Sequence, residues 1–118
     1  MMEDREIRLS ALWRDDRLEA KITVDLRIDS EARVVSHWDV FGAFDLDGAQ
    51  CRPFVLRRNG VIDCGLGAER FWRTDLRDAK IRVGSRFTIF WNDADCGEYE
   101  IVKVESLGAK ALTQDGSI

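Results

Sequence analysis

Leu18-Glu19-Ala20-Lys21-Ile22-Thr23-Val24-Asp25-Leu26-Arg27-Ile28-Asp29 alternates apolar and polar side chains without a break. A strand has a side-chain period of two, so this stretch puts Leu18, Ala20, Ile22, Val24, Leu26 and Ile28 on one buried face and the polar residues on the other. A slip of one residue would expose the whole apolar set, which makes the register strongly specified. Upstream, Ile7, Leu9, Ala11 and Trp13 repeat the period, and Arg14-Asp15-Asp16-Arg17 between the runs has the composition of a turn. The two runs predict an opening hairpin. Leu12 breaks the alternation, but a helix over Ile7 to Leu12 matches fewer positions than a strand does.

Outward from this hairpin the same logic continues. Asp29-Ser30-Glu31 reads as a turn, and Val34, Trp38 and Val40 share one phase of a weaker strand from Val34 to Val40. Phe41-Gly42-Ala43-Phe44 leads into Asp45-Leu46-Asp47-Gly48, where Asp-Gly favours a tight turn. Pro53 cannot donate a ladder hydrogen bond and is expected at a strand start or edge. Phe54 to Arg58, Asn59-Gly60 and Val61 to Cys64 form the strongest local hairpin signal, with a primed turn at Asn59-Gly60.

Between Leu66 and Ala79 the spacing changes to steps of three and four, through Ala68, Phe71, Trp72, Leu76 and Ala79, and predicts a short helix. Arg86 to Trp91 alternates again, with Phe87, Ile89 and Trp91 on one face, and Asn92 to Gly97 turns the chain. In the strand that follows, Tyr99 and Ile101 fall in one phase and Val102 and Val104 in the other, so either both faces are buried or a bulge separates them. Leu107 to Thr113 adds a last short strand. Many short strands with turn residues between them imply a mainly β fold, all-β or α+β: a small antiparallel barrel or sandwich with at most one short helix, in a single domain over residues 1–118.

A chain of 118 residues, 45% of them hydrophobic, can bury one core but not two. Its apolar runs are too short to span a bilayer, and Met1 to Glu6 lacks the apolar segment of a signal peptide, so a soluble, cytoplasmic protein with no membrane association is expected. Three cysteines, Cys51, Cys64 and Cys96, form no close-spaced set and fit a reducing compartment as free, buried thiols. The net charge of −4 opposes nonspecific nucleic-acid binding, but Gln50 to Asn92 carries nine basic residues against four acidic ones.

Motifs for chemistry are sparse. Cys64-Gly65-Leu66-Gly67-Ala68-Glu69-Arg70 follows a strand, as a phosphate-binding turn would, but Arg70 stands where a third glycine is needed. The only histidine, His37, limits any Cys–His pair, and no two of the three cysteines and His37 have zinc-ligand spacing. Asp45/Asp47 and Asp93/Asp95 lack the rest of a calcium loop and read as turn residues. No catalytic residue, metal or cofactor is assigned, and an enzyme ranks behind a binding protein. Arginines interleaved with aromatics in the middle segment are the main departure. On the predicted helix Arg70, Trp72, Arg73 and Arg77 form the candidate partner-binding surface, Arg and Trp being enriched in interface hot spots. The expected function is a protein-interaction module, self-association included. A small-molecule or anion-binding barrel is the alternative, and nucleic-acid binding ranks below it.

Overall fold

The computed structural model describes residues 4–17, 21–46, 50–65, 72–92 and 94–107. Eight strands follow one another: β1 (Arg5–Trp13), β2 (Lys21–Ile28), β3 (Val40–Leu46), β4 (Gln50–Leu56), β5 (Val61–Asp63), β6 (Trp72–Thr74), β7 (Arg86–Phe90) and β8 (Cys96–Ser106). Each pairs antiparallel with the next and β8 closes on β1, so the sheet is an up-and-down barrel rather than a sandwich. No helix among the described residues is long and apolar enough to cross a membrane.

The opening alternation sets the wall. Ile22, Val24, Leu26 and Ile28 are buried, and Lys21, Thr23, Asp25 and Arg27 face outward. Ile7, Leu9 and Ala11 meet them from β1, where Leu9 pairs with Val24. Leu56, Ile62, Ile89, Tyr99 and Ile101 complete the interior. In β8 the phase change is a bulge: Ser10 pairs with Lys103 and Ala11 with Ile101, which leaves Val102 as the extra residue and returns Val104 to the core side.

Several expectations are corrected. The described part of the predicted helix is strand β6 followed by a single 3-10 turn at Leu76–Asp78. Trp72, Thr74 and Leu76 all face inward with period two, but the polar Thr74 hides that period in the sequence. Its hydroxyl stays buried because it donates to the Thr88 carbonyl at 2.7 Å. Val34 to Val40 is not a strand: Val34 and Ser36 are buried, but the chain then turns out, leaving Trp38 half exposed before β3 begins at Val40. The Asn59-Gly60 hairpin does join β4 to β5, though not through a primed turn. Gly60 alone has positive φ there, at 89°, and its N–H donates to the Arg57 carbonyl while Arg57 N–H donates to Val61. That is a type I turn closed by a glycine bulge, which needs only one left-handed residue. Pro53 lies within β4, and among the described residues it precedes those that pair with β5. Leu18 and Ala20, the turn at Asp47-Gly48, the Gly65-Gly67 turn beyond Gly65, and the last predicted strand beyond Leu107 lie outside the described residues.

Because connections alternate ends in such a barrel, β2–β3 and β6–β7 lie together. They seal this end with Ala32, Val34, Leu76 and Ile81. Ile81 N–H donates to Ala32 O at 2.8 Å, and Arg33 bridges to Lys80.

Candidate functional site

The residues singled out by sequence do not share one surface. Arg70 lies outside the described residues. Trp72 turns inward, its ring 5.4 Å from Phe44 and 6.3 Å from Trp91. Arg73, its neighbour on β6, points outward beside Phe90, with which it pairs. The two line a polar depression of about 640 Å³ together with Asn59, Asp75, Asp78 and Asn92. Arg77 is half-buried: its guanidinium donates to the Ser36 carbonyl and to those of Trp38, Leu56 and Arg57 at 2.9, 3.0 and 3.2 Å. Burial lowers its pKa, and its Nε has no hydrogen-bond partner. These bonds tie the chain entering β3 to the end of β4.

What that clamp holds is an exposed apolar wall. Inward phase on β3 belongs to Val40, Gly42 and Phe44, so Phe41 and Ala43 must face solvent. Opposite them on β4 stand Val55 and Pro53, with Cys51 one step further along the outer face. Phe41 is 70% exposed and Trp38, just before the strand, 50%. Gly42 is required beneath: a Cβ there would come within 2.5 Å of the Phe54 ring and 2.7 Å of the Thr23 carbonyl oxygen. Alongside Phe41 runs a depression of about 330 Å³ that Thr23, Gly42, Ala43 and Cys51 line together with the charged Arg8 and Asp25.

Most charges around this wall are paired with one another; Asp45, exposed opposite Cys51 on the outer face of β3, is not among them. Arg8 holds Asp25 through two hydrogen bonds of 2.7 and 2.9 Å. Arg57 bridges Asp39 at 3.0 Å and Asp63 at 2.8 Å, and its guanidinium lowers the pKa of both carboxyls. Arg27 reaches Glu6 at 2.6 Å and lies over the Trp38 ring, 5.5 Å from its centroid. These exposed pairs contribute little to stability, but they remove uncompensated charge from the patch margin.

A second cluster lies inside the opposite end. Trp13, Trp91, Trp72, Phe44 and Phe54 form a chain of ring contacts, starting with an edge-to-face pair 5.4 Å apart. All three indoles are half-buried, and Arg52 on β4 occupies the inward phase beyond Phe54.

Among the thiols, Cys51 and Cys96 are exposed rather than buried, because both take outward strand phases; Cys64 is half-buried, and burial raises its pKa. His37 is exposed. Among the described residues no three metal-ligating side chains converge.

Sequence reasoning missed Trp38 and Phe41. A signal was present in Phe41-Gly42-Ala43-Phe44: two rings three apart on one strand must face opposite sides. Comparison with protein-family models, curated proteins and solved structures finds no match for this chain.

Proposed function

We propose that this chain is a protein-interaction domain that docks through the outer wall of β3 and β4. The observation that carries the reading is Phe41, a ring 70% exposed on a strand paired along its length with β4, beside Ala43, Pro53, Val55 and Cys51, with Asp45 at the far end of the same face. Contiguous apolar surface of this kind favours burial against another protein, and an aromatic held by a rigid strand loses little entropy on docking. β3 pairs with β4 along its length and with β2 over residues 42–45, which favours a partner that packs face-on over one that adds a strand. The three free cysteines are consistent with work in the cytoplasm. Capture on immobilised wild-type and Phe41→Ser protein tests the reading: bound partners should be lost with Phe41, and identical capture by both proteins would end it.

The barrel-ligand alternative rests on the half-buried Trp13, Trp72 and Trp91 with Arg52 beyond them, which suits a planar anion. Saturable quenching of tryptophan fluorescence by aromatic carboxylates, weakened in Arg52→Ala, is its test. Polyanion binding has less support, since Arg57 is occupied by carboxylates and Arg77 by carbonyls.

A further inference from the structure

We infer that Asn59-Gly60, at the tip of the β4–β5 hairpin, is a self-modifying site: the Asn59 carboxamide is converted to a carboxylate at a rate set by the hydrogen bonds of the turn. The site lies beyond the end of β4 and needs no partner protein. An asparagine followed by glycine can cyclise, because the next main-chain nitrogen reaches the side-chain carbonyl carbon and glycine puts no side chain in its way. Asn59 is exposed, so water has access to it.

The turn prepares one reacting group and restrains the other. Asn59 Oδ1 accepts the Val61 N–H at 3.2 Å, which polarises the carbonyl and sets a donor where negative charge gathers during attack on Cγ. The same bond holds the carboxamide against the main chain. Gly60 N–H donates to the Arg57 carbonyl at 3.0 Å, and its nitrogen becomes a nucleophile only when that bond opens and the proton is lost. Asp39 keeps it closed: its Oδ1 accepts Arg58 N–H at 2.9 Å and its Oδ2 accepts from the Arg57 guanidinium at 3.0 Å. Local opening on the Arg57 side frees the Gly60 nitrogen while the Val61 bond remains on the other side of Asn59.

The chemistry balances with water as the sole co-reactant. Gly60 nitrogen bonds to Asn59 Cγ, the bond from Cγ to the amide nitrogen breaks, and ammonia leaves with the proton that Gly60 gave up. Water then opens the cyclic imide. Cleavage between Cγ and the Gly60 nitrogen leaves aspartate, a new carboxylate beside Arg58 and Arg73 in an unchanged turn. Cleavage between that nitrogen and the main-chain carbonyl carbon leaves isoaspartate, with an extra carbon in the main chain. That product lengthens a loop whose bonds fix the hairpin, from Arg57 N–H to the Val61 carbonyl and from Thr74 N–H to the Gly60 carbonyl. With only three residues in β5, the short wall has little else to hold it.

Peptide mapping of the folded protein, kept warm in mildly alkaline buffer, tests the site. Wild type should gain the mass of an amide-to-acid exchange in the peptide that holds residues 59 and 60, as a mixture of aspartate and isoaspartate. Asn92, the only other asparagine, is followed by the bulkier Asp93 and should stay intact, and Asn59→Ser should show no gain. Asp39→Ala, with its fold checked by circular dichroism, should convert about fivefold faster, the factor that one hydrogen bond of ordinary worth makes in an opening equilibrium. In wild type, conversion should also rise in step with Gly60 amide exchange at urea concentrations below unfolding, a measurement that needs no variant. A folded wild type that stays unmodified while the urea-unfolded chain converts overturns the inference, as does modification confined to Asn92. Conversion that ignores both Asp39→Ala and Gly60 amide exchange overturns the control by the turn.

Discussion

Two walls of the same barrel are built differently. Across β3 and β4 seven residues on each strand pair in unbroken register, from Val40 opposite Leu56 to Leu46 opposite Gln50. Across β5 and β6 each strand has only three residues, and side chains extend the ladder beyond β6: Thr74 Oγ1 donates to the Thr88 carbonyl, and Thr88 N–H donates to Asp75 Oδ1 at 2.7 Å. The long wall can display Phe41 in solvent because its β3–β4 ladder is unbroken without help from that ring. The short wall uses its polar side chains for closure and leaves a polar hollow beside Arg73. The most exposed ring thus sits on the long wall, while the short wall, with the less exposed Phe90 beside it, is closed by polar side chains.

The sharpest way to break the long wall is from inside. Gly42→Val would push a branched side chain against the Phe54 ring and the Thr23 carbonyl, and the latter is backbone that cannot move aside. A loss of about 3 kcal/mol, read from denaturant unfolding, is expected for such overpacking.

Alkali probes the β7–β8 side, where Tyr99 stacks on Phe87 with centroids 5.7 Å apart. Burial raises the Tyr99 pKa to about 12. A folded pKa above the unfolded value near ~10 means that the stability linked to this group is complete below that pH and declines as pH rises towards 12, by ~1.4 kcal/mol per unit. Tyr99 is the only tyrosine, so its phenolate absorbance reports this group alone and should rise together with the loss of folded signal. Phenolate formation at the unperturbed pH in a still-folded protein would contradict the burial.

Thr74→Val should weaken the short wall by about 1.5 kcal/mol. It strands the Leu76 N–H, which now donates to the Thr74 hydroxyl, and removes one bond to Thr88. Amide exchange should quicken at Thr88 and Leu76 while β3 and β4 are unaffected; equal acceleration in both walls would erase the distinction between them. The smallest stability effect belongs to Phe41→Ser, within about 0.5 kcal/mol of wild type, because the ring is mostly in water already. A large destabilisation would make Phe41 a structural residue and weaken the case for docking.

The strands most legible in the sequence were those whose two faces differ in polarity. In Ile22 to Ile28 every second residue is apolar, and the pleat allows only one way to bury such a set. The bulge in β8 was one of two readings offered by Ile101 and Val102, and Gly60 marked its hairpin because only glycine adopts φ of 89° cheaply. The wall residues Phe41 and Ala43 were readable only as an odd phase, since apolar side chains signal burial until the neighbours are known.

Sequence alone therefore determined local matters: strand periods, turn positions, a mainly β chain with one core. These follow from φ/ψ preferences and from side-chain alternation, which act over a few residues. Tertiary structure decided the closure of β8 onto β1, since that pairing joins residues about a hundred positions apart and no local pattern encodes it. It also decided that Thr74 is an inward residue, because its partner carbonyl is on β7, and that Arg77 binds four carbonyls from two distant segments. The exposure of Phe41 was settled in the same way: Val55 of β4 pairs opposite it, the interior is filled by Phe44 and Phe54, and the outer face remains for the ring.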